Sequence, residues 1–458
     1  MLAHPAAAGR KTSVEARLVV RKRCCYLTVA PPAKAWQQKV CDNRAEARST
    51  LPAGFRPHLF RKRGGVGDKR TNIILLSRSW GEPVDSIQLS PSQSSLVLVS
   101  EHISNPVNMA PPTLVTPLCE LLGIKYPILL AGMARTSSGP LAAAVSNAGG
   151  LGTIGGLGYS PQQMRDIIHE LKANLSNPDL PFGVDLALPQ VGGSARKTNH
   201  DYTHGQLDEL IGVVIEEKAR LFISAVGVPP PHVIKRLHEA GILVMNMVGH
   251  PKHAHKALQA GVDIVCAQGG EGGGHTGDIA TSILIPSVVD VASQYKSPLT
   301  GRPAMVVAAG GIYNGRSLAA MLSFGAVGAW VGTRFVASKE AGCSELHKEA
   351  VVSAKFEDTM RTLVVSGRPL RVKRNAYIDS WEVDRPEEVK RLCDSGVVPL
   401  QKDMDEDKDF DIPFLMGQVA GVIERVQPAK EILEEMVTEC VQIMQTQQTY
   451  LSGAKSKL

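Results

Sequence analysis

Short apolar runs alternate with segments of helical periodicity along the chain from residue 127 onward. Each run is continuous, rich in branched side chains and bounded by glycine, proline or polar residues, which is typical of a strand buried on both faces. The predicted strands cover residues 127–132, 150–156, 181–188, 221–227, 242–248, 262–266, 304–311 and 326–336. Helices are predicted between them, over residues 139–147, 161–174, 206–218, 230–240, 251–260, 280–294 and 315–324.

The regular alternation of eight strands with helices indicates the architecture. Strands that are apolar throughout favour a parallel sheet covered by helices on both faces. Eight such units between residues 127 and 336 fit a closed (β/α)8 TIM barrel better than an open doubly wound sheet. We therefore predict an α/β fold with this barrel over residues 110–350, and we expect its chemistry at the C-terminal ends of the strands.

The segment after the barrel has a different pattern. Residues 351–410 are rich in arginine and aspartate and show little periodicity, so we expect a lid or small cap over the barrel mouth. Helices are predicted over 413–425 and 429–445. Residues 351–458 are thus interpreted as a smaller cap and C-terminal helical region that packs on the barrel.

The first 109 residues carry the excess positive charge. They hold 17 Lys and Arg against 7 Asp and Glu, whereas the whole chain has a net charge of +6. Proline and serine are frequent and hydrophobic patterning is limited to short runs such as 72–76, so we expect a disordered basic extension. A nucleic-acid-binding arm is the weaker alternative, and no nucleic-acid partner is expected. A targeting segment, or a gene-model artefact with the true start at Met109, are the other interpretations.

Composition narrows the function classes. The chain is 43% hydrophobic and 21% charged, and no apolar run approaches the roughly 18 residues of a membrane span, so no membrane partner is expected. None of the eight cysteines forms a CxxC pair, which favours reduced thiols in an intracellular protein. Cys266 lies inside a predicted strand and is interpreted as a core residue rather than a nucleophile.

A glycine-rich segment with a single histidine follows the sixth strand. It reads AQGGEGGGHTGD over residues 267–278. Glycine lets the backbone approach a flat or phosphorylated ligand closely, and an imidazole is readily tuned for proton transfer near neutral pH. Because the segment lies at the C-terminal end of a barrel strand, His275 is the candidate catalytic residue.

Two further loops have the chemistry of a phosphate site. Gly310-Gly311 ends the seventh strand before a helix, and Trp330-Val331-Gly332-Thr333 ends the eighth with backbone N–H groups and a hydroxyl. The loops after the last two strands of such a barrel often bind phosphate, and helix N-termini favour an anion. The alternative is that both are only tight turns of the barrel.

No metal site is predicted. His250, His253 and His255 are close in sequence, but no carboxylate or cysteine stands at ligand spacing from them. A solvated helix start is the favoured interpretation of these three residues.

The last three residues match a targeting signal. Ser456-Lys457-Leu458 is a receptor-read peroxisomal address. We therefore expect a peroxisomal import receptor as a partner and a peroxisomal location, with the cytoplasm or mitochondria as alternatives.

Six motifs along the barrel form a specific combination. They are PILLAGMA from residue 127, SNAGGLGTIGG from 146, PFGVDLALPQVGG from 181, AQGGEGGGHTGD from 267, VVAAGGI from 306 and WVGTRFVAS from 330. Together they resemble the nitronate monooxygenase family, formerly called 2-nitropropane dioxygenases, and most closely its fungal-type members. The resemblance covers about residues 115–425 and leaves residues 1–109 without a counterpart.

The resemblance implies that the barrel binds FMN without a covalent bond. Carried over by position, the flavin ring would be lined by Ala131, Gly132, Met133, Gln268 and Gly273, and the ribityl phosphate would be held by Gly311, Trp330, Val331, Gly332 and Thr333. Asp185 belongs to the same predicted site, although many bacterial members have asparagine there. His275 matches the catalytic histidine of the family.

The resemblance also implies a reaction. A neutral imidazole near the substrate α-carbon can remove its proton, and a nitro compound suits this because the nitronate spreads its charge onto oxygen. We therefore expect FMN-dependent oxidation of alkyl nitronates with O2 to carbonyl compounds and nitrite, with neutral nitroalkanes as a further substrate class left open. A nitronate supplied as the anion would not need the base.

Two other functions stay open at this point. An FMN-dependent NAD(P)H enoyl reductase on the same barrel shares the glycine-histidine motif, although residues 195–199 favour the monooxygenase. A phosphate-binding isomerase or synthase barrel without redox chemistry would contain no flavin. The natural substrate and the oligomeric state are also left open.

Overall fold

The computed structural model describes residues 114–451 together with four short strands nearer the N-terminus. The chain divides into two compact units, Met1–Asn108 and Met109–Leu458. Met109 and the terminal Ser456-Lys457-Leu458 lie outside the described residues, so the predictions made for them are not tested by the structure.

The first unit contains a small antiparallel sheet. Its strands are Tyr26–Val29, Phe55–Phe60, Asn72–Arg78 and Leu96–Val97. Asn72–Arg78 pairs with both Phe55–Phe60 and Tyr26–Val29, and Leu96–Val97 adds to the far side of Tyr26–Val29. The apolar run at 72–76 lies in a central strand, and the disordered extension expected over residues 1–109 stays a prediction. The chain between these strands lies outside the described residues.

The second unit is built on eight parallel strands, which confirms the predicted barrel. The strands are Ile128–Leu130, Gly152–Gly155, Phe182–Ala187, Leu221–Ala225, Leu243–Val248, Ile264–Gln268, Met305–Ala309 and Gly328–Val331. They pair in sequence order, and the eighth returns to pair with the first. The ring closes between the first two strands, where Leu130 N–H donates to Leu151 O (2.9 Å) and Leu151 N–H donates to Ile128 O (3.0 Å).

The side chains of each strand alternate between two hydrophobic layers. Leu129 and Cys266 face a cluster that fills the inside of the ring, whereas Ile128 and Leu130 pack in the larger layer between sheet and helices. Both faces are therefore buried, which is why the strands appear in the sequence as unbroken apolar runs. Cys266 is fully buried and its pKa is raised by burial and by Asp185, in agreement with its interpretation as a core residue.

Helices connect the strands close to the predicted positions. They are Gly139–Asn147, Pro161–Ala173, Leu207–Glu216, Pro231–Glu239, Pro251–Gln259, Thr281–Ala292 and Gly315–Ser323, and a helix at Pro117–Leu122 precedes the first strand. The predicted strand over 326–336 is too long. It ends at Val331, and a short helix, Thr333–Val336, follows because Phe335 and Val336 bury their side chains after the chain turns at Gly332.

Residues 351–410 form more regular structure than their pattern suggests. After helix Glu345–Val352 come a 3-10 turn, two antiparallel strands and three short helices: Phe356–Asp358, Thr359–Thr362, Leu370–Lys373, Ala376–Glu382, Pro386–Ser395 and Pro399–Asp405. Their own small core is centred on the fully buried Trp381 with Val364, Val372 and Ile378. We call residues 356–405 the cap.

The prediction of a helix over residues 413–425 is wrong. This segment is largely extended and contains only a 3-10 helix, Gln418–Val422. Gly417 and Gly421 pack their backbones against other chain segments, since an added Cβ would lie 2.7 Å from Glu271 O and 2.8 Å from Phe356 N. The last predicted helix is confirmed as Ala429–Gln448, which packs along helix Gly315–Ser323. Among the described residues, no helix combines the length and apolarity needed to cross a membrane.

Candidate active site

A cavity of about 1640 Å³ opens at the C-terminal ends of the barrel strands. It is larger than the roughly 300–1,000 Å³ usual for a small-molecule site. Loops after the barrel strands, the cap and the extended segment 413–419 all contribute to its wall. The cavity therefore lies where the barrel architecture predicts chemistry.

Eleven of the twelve predicted site residues line this cavity. They are Ala131, Gly132, Met133, Asp185, Gln268, Gly273, His275, Gly311, Trp330, Gly332 and Thr333. Val331 is not among the residues that line the cavity, and its part in the site stays a prediction. Successive side chains of a strand point to opposite faces, so Trp330 faces the inside of the barrel and Val331 packs among the helices.

The glycine-histidine segment is joined to the cap by a sheet. Gly274–His275 pairs antiparallel with the cap strand Leu370–Lys373, with His275 opposite Leu370. The Arg371 guanidinium donates to Gly270 O at 2.9 and 3.1 Å, and Arg361 pairs with Asp278. The cap therefore holds the backbone of His275 in place.

Side chains of the segment also hold its own shape. Gln268 Nε2 donates to His275 O (2.8 Å), and Thr276 Oγ1 donates to Gly269 O (2.7 Å). The Glu271 carboxylate accepts from the Thr281 backbone N–H and hydroxyl at the start of the next helix. The loop is thus an ordered structure, although half of its residues are glycine.

The imidazole of His275 contacts the turn between the two cap strands. His275 Nε2 lies 2.9 Å from Ser366 Oγ, and Ser366 Oγ lies 3.4 Å from Arg368 O. When the hydroxyl donates to that carbonyl, it accepts from Nε2–H and leaves Nδ1 with the free lone pair. Burial, with a smaller contribution from the Arg368 charge, lowers the pKa of His275 to about 4. The ring is therefore neutral at pH 7.

Arg368 brings a cation to the same part of the cavity. Its guanidinium donates to Asn199 Oδ1 (2.9 Å) and Val226 O (3.4 Å), and within residues 114–451 it has no carboxylate partner. Burial and the nearby Arg196 lower its pKa from the usual value, yet an arginine stays protonated at neutral pH. An anion bound beside His275 would therefore meet an unneutralised positive charge.

Two buried oxygen atoms in the cavity lack partners. Asp185 Oδ1 and Asn246 Oδ1 accept no hydrogen bond from any described residue. Burial raises the pKa of Asp185 to about 8, so its carboxyl is protonated at neutral pH. Asp185 also explains Gly132, because a Cβ there would lie 2.2 Å from Asp185 Oδ2. Buried unpaired oxygens are costly, which is typical of a site that is completed by a ligand.

The two predicted phosphate loops line the same cavity. Among the described residues, the N–H groups of Gly311, Gly332 and Thr333 have no hydrogen-bond acceptor. Gly311 has φ +75°, a conformation that glycine adopts easily. Thr333 Oγ1 accepts from Gly417 N–H (2.9 Å), which leaves the hydroxyl proton available. This set of donors suits an anion such as phosphate.

Comparison with known proteins identifies the family. The family model described as nitronate monooxygenase matches residues 115–439, which is most of the chain and the whole barrel. The chain belongs to the nitronate monooxygenase family. It is accordingly an enzyme of the oxidoreductase class.

The relatives of this chain are named as different kinds of enzyme. A Staphylococcus aureus protein named as a probable nitronate monooxygenase is 29% identical over 370 residues, 72% of this chain and 98% of that protein. A Mycobacterium tuberculosis protein named (3aS,4S,5R,7aS)-5-hydroxy-7a-methyl-1-oxo-octahydro-1H-indene-4-carboxyl-CoA dehydrogenase is 30% identical over 370 residues, 72% of this chain and 97% of that protein.

Similar solved structures likewise come from proteins with different names. FabK from Thermotoga maritima matches with a TM-score of 0.60 and 32% identity, over 74% of this chain and 100% of that one. A nitroalkane oxidase from Streptomyces ansochromogenes matches with a TM-score of 0.60 and 28% identity, over 72% and 99%. The fold is thus shared by enzymes with different names.

Ser366 and Arg368 belong to the site but lie outside the six sequence motifs. Both lie in the cap turn, Ser366-Gly367-Arg368-Pro369, whose composition is typical of a tight turn. This composition predicts a turn but does not indicate which residues the turn contacts. Its position depends on long-range contacts such as Thr198 Oγ1 to Gly367 O (3.2 Å).

Proposed function

We propose that this protein oxidises alkyl nitronates with FMN and O2 to carbonyl compounds and nitrite. The observation that carries the proposal is a neutral imidazole, His275, next to a guanidinium, Arg368, that no described carboxylate neutralises. A nitronate is an anion with its charge on two oxygens, so it complements a hydrogen-bond donor combined with a cation.

The residues of the cavity fit FMN. The unpartnered oxygens of Asp185 and Asn246 suit the polar edge of a flavin, and the free N–H groups of Gly311, Gly332 and Thr333 suit its phosphate. Bound FMN would supply the electron acceptor for the substrate and the site at which O2 is reduced. The chain itself would supply binding, orientation and proton transfer.

The roles of His275 differ between two classes of substrate. For a nitronate, Arg368 would balance the charge, and the Ser366 hydroxyl, which accepts from Nε2–H, would turn from Arg368 O to donate to a substrate oxygen. For a neutral nitroalkane, the unprotonated ring nitrogen would accept the α-proton, and Arg368 would stabilise the anion that forms. A base of pKa about 4 accepts protons weakly, so we propose nitronates as the better substrates.

An enoyl reductase is the competing function. Thermotoga maritima FabK has the same barrel at 32% identity, and a relative named as a CoA dehydrogenase shows that a different substrate class occurs among similar proteins. The reductase would take hydride from NAD(P)H, so the two functions differ in which compound bleaches the flavin.

An anaerobic absorbance titration separates these functions. Purified protein with its flavin is mixed with propionate 3-nitronate in one cuvette and with NADPH in another. Loss of flavin absorbance with the nitronate but not with NADPH supports the proposal. Rapid bleaching by NADPH alone would move the protein to the reductases, and well-folded protein that takes up no flavin would contradict both.

The His275→Asn variant tests the histidine. It should keep FMN bound but lower kcat/KM for neutral nitroalkanes by roughly 100- to 10,000-fold, the usual contribution of a general base. Oxidation of preformed nitronates should fall less. His232→Asn, a change of an exposed histidine on helix Pro231–Glu239, is the matched control. Unchanged nitroalkane turnover in His275→Asn would remove this residue from the reaction.

A further inference from the structure

A group of basic side chains after the third and fifth barrel strands lines the cavity without a role in the proposed reaction. Arg196, His253 and Lys256 form this group, which we call the basic rim. No member of the basic rim makes an ion pair within residues 114–451. None of the acidic side chains of the same cavity pairs with the basic rim: Asp185 is protonated, Asp201 accepts from Thr203 and Gly205, and Glu271 accepts from Thr281.

The basic groups affect one another across the cavity. The pKa of His253 is lowered by burial and then by its neighbours Lys252, His250, Lys256 and Arg368. Arg196 likewise contributes to the lowered pKa of Arg368. Mutual repulsion of this kind means that positive charge is concentrated without compensation, and a bound anion would relieve it.

The position of the basic rim separates it from the proposed phosphate site of the flavin. Arg196 lies in the loop after the third strand, Phe182–Ala187, and the other two members lie on helix Pro251–Gln259 after the fifth strand. In a ring of eight strands, the third to fifth lie opposite the seventh, eighth and first. The basic rim therefore faces the loops of Gly311 and Gly332 from across the barrel mouth.

The size and surface of the cavity indicate an extended ligand. The volume of about 1640 Å³ exceeds what a flavin site of ordinary size needs. Two exposed apolar side chains, Leu157 (38% exposed) and Val191 (54% exposed), line the same cavity from the loops after the second and third strands. They offer a surface for an uncharged group next to the cations.

We infer that the basic rim binds the diphosphate of an adenine-nucleotide tail on an extended substrate or co-substrate whose reactive end lies beside His275. Several cations on two separate elements suit a ligand with several phosphate charges better than a single carboxylate. Coenzyme A thioesters and nicotinamide dinucleotides share this tail. The inference rests on the proposed function for the positions of the flavin and of the reacting group.

The test uses ADP as the shared probe and the full-length protein with its flavin bound. Calorimetry gives the Kd of ADP for the wild type, for Arg196→Gln/Lys256→Gln, and for the control Lys235→Gln/Arg391→Gln, which removes two exposed cations outside the cavity. The Kd should rise roughly tenfold or more in the basic-rim variant, because charge-assisted hydrogen bonds contribute at that level. The control variant should bind ADP like the wild type, and the FMN content of all three should be equal.

Three results would overturn the inference. They are the absence of ADP binding to the wild type at millimolar concentration, an equal Kd in the basic-rim and control variants, and loss of FMN from the basic-rim variant, which would assign the rim to the flavin phosphate. Titration with coenzyme A and with NADPH then distinguishes the two sources of the tail, and a basic-rim-dependent Kd for either supports the inference.

The failure of this inference is distinguishable from failure of the proposed function. A protein that oxidises nitronates but does not bind ADP would contradict the basic-rim assignment alone. A protein that binds ADP through the basic rim but leaves nitronates unchanged would contradict the nitronate assignment alone.

Discussion

His275 is fixed by three contacts, one within its own loop and two from the cap. Ser366 holds the ring, Gln268 holds the carbonyl oxygen, and Leu370 pairs with the backbone. A side chain held in this way needs little reorganisation when substrate binds, which lowers the cost of the reaction. Burial keeps the ring neutral, and the nearby Arg368 supplies the charge that the ring lacks.

The charge of Arg368 can be tested through the pH dependence of the reaction. Arg368→Gln removes a positive charge that disfavours the protonated imidazole, so the pKa of His275 should rise from about 4 toward its usual value while burial keeps it below that value. The acid limb of the kcat/KM profile for a neutral nitroalkane should therefore move to higher pH. The KM for nitronates should also increase, by roughly tenfold.

Arg368→Lys is the matched control for this change. It keeps the positive charge, so the acid limb should stay near its wild-type position even if the two hydrogen bonds to Asn199 and Val226 are weakened. An acid limb that is the same in Arg368→Gln and in the wild type would show that Arg368 does not act on the imidazole.

Sequence patterns predict site residues well where they depend on the end of a strand. Gln268, Asp185 and Gly132 follow from the rule that barrel chemistry gathers at the C-terminal strand ends. The side chain of Val331 packs away from the cavity, and a motif does not say which face of the strand a residue occupies. Ser366 was missed because its contact with His275 spans 91 residues and requires a turn whose partner no local pattern indicates.

At the level of elements, continuous apolar runs predicted all eight barrel strands and the order of the helices. The errors lie where backbone packing overrides the pattern. Gly417 and Gly421 allow an extended segment to lie against other backbone, where a helix was expected. The cap strands were missed because residues 359–373 alternate irregularly and are stabilised by pairing with each other and with His275.

The packing of the last helix on the barrel depends on a glycine. Gly315→Ala should lower the free energy of unfolding by about 1–3 kcal/mol, the usual cost of overpacking. An added Cβ would lie 2.3 Å from Cys440 N and 2.5 Å from Glu439 Cβ in helix Ala429–Gln448. Denaturant unfolding of the flavin-free protein measures the change.

Gly212→Ala provides the control for this substitution. Gly212 is inside helix Leu207–Glu216, and nothing lies within 4 Å of the Cβ that alanine would add. This variant should be more stable than the wild type by about 0.5–1 kcal/mol, because alanine is the better helix former. Equal stability of the two variants would show that contact with the last helix is not what requires Gly315.

The whole chain consists of two compact units, Met1–Asn108 and Met109–Leu458. The family match begins at residue 115, and the barrel, the cap and the last helix all belong to the second unit. A variant that begins at Met109 should therefore fold and bind FMN like the full chain. Flavin absorbance and the midpoint of thermal unfolding measure this, and insoluble or flavin-free protein would contradict it. The peroxisomal address at Ser456–Leu458 stays a prediction.

The pairing of Gly274–His275 with Leu370–Lys373 has a thermodynamic consequence for the whole molecule. Because the strand that carries the imidazole takes its hydrogen-bonding partner from the cap, any opening of the cap would also disassemble the catalytic group. The apparent affinity for substrate is then the intrinsic affinity multiplied by the fraction of molecules with the cap closed. A ligand that touches both barrel and cap shifts that equilibrium toward the competent state, so part of its binding energy is converted into assembly of the site.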